Sequence, residues 1–132
     1  MKNKFLIAAA ALVVVFLVGF VPGMVKASRL DSELRQSRDA LAGAELRDLA
    51  GLAYVQASQK NFGLAAETSG RYFNRVREVA NQAQDASRRK AIEELLAPRD
   101  RITADLAKGD AAAIGELQEL FLKTRTATGS AP

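Results

Sequence analysis

The 132-residue chain contains no cysteine, no histidine and no tryptophan. Without cysteine there is no disulfide framework, no thiolate nucleophile and no sulfur ligand for zinc. Without histidine the commonest general base near neutral pH is missing as well. Proline is scarce, with only three residues, of which Pro98 alone falls within the part of the chain that must fold on itself. Outside the first 25 residues the composition is rich in Ala, Leu, Glu, Arg and Gln and poor in Thr and Tyr, a balance that favours helix almost everywhere and disfavours strand. A strong charge of one sign is missing too. The formal net charge is +4, but Lys2 and Lys4 precede an apolar run, and setting them aside leaves 17 of the 19 basic residues against 15 acidic ones, or +2. A body so nearly neutral lacks the concentrated basic face that phosphate binding requires, which argues against nucleic acid as the partner.

Catalytic signatures are equally thin. There is no Gly-rich phosphate loop, no serine in a nucleophile-elbow setting and no metal-ligand spacing. Glu93 and Glu94, with Asp100 and Asp105 nearby, are the only carboxylates grouped densely enough to test as an acid–base pair. As neighbours on one helix the two glutamates point in different directions rather than across a cleft. The chain reads as non-catalytic, with no cofactor and no metal site.

What is present begins with an apolar run. From Phe5 to Val25 no residue is charged, and 21 residues rising ~1.5 Å each in a helix would cross ~30 Å of hydrocarbon. Two readings compete: a permanent signal-anchor over residues 1–25, or a secretory leader with Lys2 and Lys4 at its start and cleavage after Ala27. Phe5 to Val21 exceeds the ~7 to 15 apolar residues of a leader core, so the anchor is expected. Counting Lys26, Arg29, Arg35 and Arg38 puts more basic residues beyond the span than before it. The short lysine-flanked start is nonetheless the form of an uncleaved leader, and the expected location is a single pass through the inner (cytoplasmic) membrane with the body on the periplasmic, extracytoplasmic side. Gly19 and Gly23 have the spacing of close helix approach, but beside Pro22 they read first as the exit of the span.

Residues 26–45 read as a helical stalk. Leu30, Leu34 and Leu41 form one stripe, and Arg29 with Glu33, Asp31 with Arg35, and Arg35 with Asp39 stand four apart as opposite charges. So narrow a seam on a charged helix suits self-association, and these three leucines are the candidate stripe for a homo-oligomer. From 46 to 123 the pattern widens into a bundle. Leu46, Leu49, Leu52, Ala53 and Ala57 give the first helix a broader apolar face, and Gly43 and Gly51 within it suggest the close approach of a neighbour or a bend. Gln59-Lys60-Asn61 ends that helix. A connection so short makes the next one, Phe62 to Ala83, antiparallel to it. A third helix starts near Asp85 to Ser87, burying Ile92, Leu95, Leu96, Ile102 and Leu106, and is kinked or restarted at Pro98. Lys108-Gly109-Asp110 stops it and caps a last helix carrying Ile114, Leu117, Leu120 and Phe121. Residues 124–132, TRTATGSAP, read as a disordered tail.

Leu49-x-x-Leu52-Ala53 followed by Lys60-Asn61-Phe62-x-x-Ala65 resembles a tetratricopeptide unit, within about residues 46–83. The pattern departs from that family at Gln56, where an aromatic is usual, and at Ser69, where a large apolar residue is usual. The resemblance implies a helical hairpin that binds another protein, and Gly109-Asp110 falls where a second such turn would stand.

Three residue groups are candidate sites. Arg88, Arg89 and Lys90, joined by Arg71 and Arg75, would contact an acidic partner or anionic lipid. The competing reading makes them a solvated helix start offset by Glu93 and Glu94. Tyr54, Tyr72 and Phe73 would line a groove between helices, or fill the core. Leu30, Leu34 and Leu41 form the stripe already named. The expected fold is all-α, a transmembrane helix continuing into a small antiparallel bundle of tetratricopeptide-like hairpins. The expected role is a membrane-anchored interaction or assembly module for a protein partner not identified by the residues. The alternatives are a cleaved, secreted helical bundle and an envelope-structural coil touching anionic lipid.

Overall fold

A computed structural model of the protein describes residues 2–129, including the side chains of all but residues 2, 17 and 19–22. Over that range the chain is all-helical: α1 (Lys2–Ser58), α2 (Phe62–Gln82), α3 (Ala86–Glu93), α4 (Arg99–Lys108) and α5 (Ala112–Thr128), with a 3-10 turn at Glu94–Leu96 between α3 and α4. It divides into two compact units, Met1–Arg38 and Asp39–Pro132.

The first unit consists of α1 alone. Every side chain described there is exposed, the apolar Phe5, Leu12, Phe16 and Met24 included. The expected transmembrane anchor is corrected here: among the described residues no helix is long and apolar enough to cross a membrane. Beyond Val25 the same helix runs on through Lys26, Arg29, Asp31 and Glu33 to Ser58. Of the Gly19–Gly23 spacing, Gly19 lies outside the described side chains, and a Cβ added at Gly23 would meet open space.

The second unit is the bundle. Its core draws on Leu46, Ala50, Ala53 and Ala57 of α1, on Ala65, Tyr72, Phe73, Val76, Val79 and Ala80 of α2, and on Ile92, Leu95, Ile102, Leu106, Leu117 and Leu120 from the later elements. The α1 residues step by four and three, one helical face, and three of the four are alanines, so neighbouring axes come close. Arg75 of α2 meets Glu45 at 2.8 Å, and the chain reverses at 59–61, so α2 lies antiparallel to α1 as expected. α5 is antiparallel to α1 as well, because a Cβ on Gly51 would fall 3.3 Å from Phe121 while one on Gly43 would fall 3.1 Å from Thr128 Cβ. The two glycines therefore mark the approach of α5, one of the two explanations the sequence offered.

The turns explain the element boundaries. After α1, Lys60 N–H donates to Ala57 O (2.8 Å) and Asn61 N–H to Gln56 O (2.9 Å), with Lys60 at φ 60°. This is the left-handed helix ending that glycine usually occupies. Asn61 then caps α2, its side-chain oxygen accepting from Leu64 N–H. The ending recurs after α4, where Gly109 (φ 66°) and Asp110 donate to Leu106 O and Asp105 O. Asp85 caps α3, accepting from Arg88 N–H at 2.7 Å. Pro98 stands at the start of α4, so the expected third helix is split there.

Two further expectations change. Residues 39–45, expected within the stalk, belong to the second unit, where Gly43 is buried against α5. The tail expected from Thr124 is, up to Thr128, the end of α5, with Thr124 and Thr128 buried; residues 130–132 lie outside the described range. Unequal lengths, 8 residues in α3 and 17 in α5, and the 3-10 turn give no evidence of tetratricopeptide-like repeats among the described residues. The resemblance also loses one of its leucines to solvent, since Leu52 is half-exposed while Ala53 and Ala65 are buried.

Candidate interaction surface

The basic group is largely turned inward on the chain's own fold. Arg75 bonds Glu45 and Glu78, both at 2.8 Å, and these carboxylates, Glu78 first, raise its already high pKa. Arg88 donates to Asp39 O at 3.1 Å, with its Nε 3.6 Å from the Asp39 carboxylate. Arg89 donates to Ala83 O at 2.6 Å, closing the C-terminal end of α2. Three of the five cations named from the sequence thus fasten α1, α2 and α3 to one another. Arg71 and Lys90 remain exposed.

The aromatic groove is corrected. Tyr72 and Phe73 are fully buried core residues packed edge to face at 5.1 Å, and Tyr54 is only partly buried against the same core. The Tyr72 hydroxyl lies 2.6 Å from Thr124 Oγ1, and Thr124 Oγ1 in turn donates to Leu120 O at 2.7 Å. Since threonine has one hydroxyl proton, Tyr72 is the donor to Thr124. Burial pushes the phenol up from 10.0 to about 12, partly opposed by that bond to Thr124. Arg47 of α1 completes this polar set by donating to Thr128 O (3.1 Å) and Thr128 Oγ1 (2.9 Å).

The carboxylates do not converge. Glu93 and Glu94 are exposed, and among the described residues no group of three or more acidic side chains is placed to hold a metal ion. Between α3 and α5 lies an open cleft of about 560 Å3, floored by Leu95 and rimmed by Glu94, Leu122 and Lys123. At its edge Lys123 bonds Glu119 at 2.6 Å and holds that exposed carboxyl below its usual pKa.

The apolar side chains left in water lie mainly on α1. Leu30 and Leu34 are 62% and 52% exposed in the first unit, and Leu41 is 71% exposed in the second. On a helix turning ~100° per residue, Leu41 points about opposite to Ala50, so within the second unit it lies on the side of α1 that the bundle does not use. A second cleft, lined by Leu41, Leu49 and Leu52 of α1 and by Arg71 of α2, lies beside it. The chain was compared with family models, with curated proteins and with solved structures, and no match was found in any of the three.

Proposed function

We propose that this protein is a non-catalytic interaction or assembly module in which the bundle is a folded anchor point and the outer face of α1 is the binding surface. The observation that carries the reading is the exposure of Leu30, Leu34 and Leu41, 52–71% each, while the same helix buries Leu46, Ala50, Ala53 and Ala57 completely or nearly so. Leaving large apolar side chains in water forgoes ~25 cal/mol per Å2 that contact with a partner would return. The internal bonds of Arg75, Arg88 and Arg89 weigh against an anionic-lipid role for the basic group.

A photo-crosslinking amino acid placed at Leu34 or Leu41 in cells is expected to give discrete adducts, whereas one at Arg77, exposed on α2, is expected to give none. Equal labelling at all three positions, or none at Leu34 and Leu41, rejects the proposal.

A further inference from the structure

The charges beside the leucine stripe suggest what covers it. Taking Leu34 and Leu41 as the first positions, a, of successive seven-residue repeats makes Ala27 another a and places Leu30, Ser37 and Ala44 at d. The positions flanking that seam are then Lys26 and Glu33 (g) on one side and Asp31 and Arg38 (e) on the other, all exposed. In a parallel two-stranded coil each g residue faces the e residue of the next repeat on the other helix. Here that pairs Lys26 with Asp31 and Glu33 with Arg38, opposite charges in both cases, and each pair occurs twice by symmetry. Asp48 falls at the next a position, where two carboxylates would meet, so the seam ends before it.

An antiparallel pairing about the same leucines would also match these charges, and the apolar run decides between the two. Antiparallel alignment with Leu30 facing Leu34 sets Phe5 to Phe16 of one copy beside residues 48–59 of the other, where the positions that continue the seam are Asp48, Gly51, Val55 and Ser58. Parallel alignment sets the exposed Phe5 to Phe16 of one copy beside the same side chains of the second, each covering the other. We infer that α1 pairs with α1 of a second copy as a parallel, in-register two-stranded coil over residues 26–44. This rests on the proposed function and names its partner. Leu41, the stripe residue within the second unit, points away from the buried face of α1 there.

The absence of native cysteine makes a direct test available on the full chain. Ala27→Cys and Ser37→Cys place a thiol at a and d, and Ser32→Cys places one on the outer side of the helix. Under mild oxidation the first two are each expected to give disulfide-linked dimers, with Ser32→Cys setting the background from random collision. Glu33→Arg in the Ser37→Cys chain should weaken association about tenfold, since attraction becomes repulsion at both symmetric pairs. Adding Arg38→Glu should restore it. Crosslinking at neither position, disulfides formed only when the Ala27→Cys and Ser37→Cys chains are mixed, or no recovery in the double charge swap overturns the inference. Leu34 adducts consisting only of other proteins, with no homodimer, overturn it while leaving the proposed function standing.

Discussion

Tyr72 and Thr124 show how one buried hydroxyl pair governs the bundle. In Thr124→Val the Tyr72 O–H loses its acceptor in a closed interior, a loss of about 1–3 kcal/mol. In Tyr72→Phe the Thr124 hydroxyl still donates to Leu120 O, so the cost should be smaller, about 1 kcal/mol. Urea denaturation of the two variants should rank them in that order. The neutral phenol is the form the core accepts, and its folded pKa of about 12 lies above the ordinary 10.0. Stability from this group is therefore complete below pH 10.0 and declines as the pH rises toward about 12. Tyr72→Phe should remove that decline. Lys60 is the second telling residue: its φ of 60° places a side chain where L-residues pay ~1–2 kcal/mol. Lys60→Gly is expected to raise stability by about 0.5–1 kcal/mol, the steric relief exceeding the added freedom of the unfolded chain, read from the same denaturation curves.

At the scale of the helix, the end of α5 is the informative element. Thr124, Thr126 and Thr128 look like tail in the sequence because threonine is a poor helix former and TRTATGSAP has no large apolar residue. In the fold each hydroxyl donates to the carbonyl four residues earlier: Leu120, Leu122 and Thr124 respectively. That back-bonding satisfies the polar group within the helix and leaves the methyl face free to pack. Deleting residues 124–132 should cost more than about 2 kcal/mol, since Tyr72 loses its acceptor and Arg47 its partner. A true tail would be removed without effect. Gly43→Val tests the same contact from α1. Overpacking against Thr128 should cost about 1–3 kcal/mol, outweighing the gain of replacing a helical glycine. The start of α3 was legible from Asp85 to Ser87, because caps are local and short side chains announce them, whereas Asn61 was legible as the end of α1 and not as the cap of α2. The basic group of α3 was not legible as structural, since its partners Asp39 and Ala83 O come from other elements.

At the scale of the whole molecule, residues 39–132 hold the described core and should fold when expressed alone, retaining helical circular dichroism and unfolding in one cooperative urea transition. The all-helical class, the reversal at 59–61 and most core positions were determined by sequence alone. Alanine-rich periodicity and capping residues act over a few neighbours, and those neighbours are fixed by the order of the chain. The tertiary structure decided which polar residues are interior, how Tyr72, Thr124 and Arg47 meet, and why Gly43 and Gly51 have no side chain. Those choices depend on helices distant in sequence arriving within bonding distance, and no periodicity within one helix encodes that arrival.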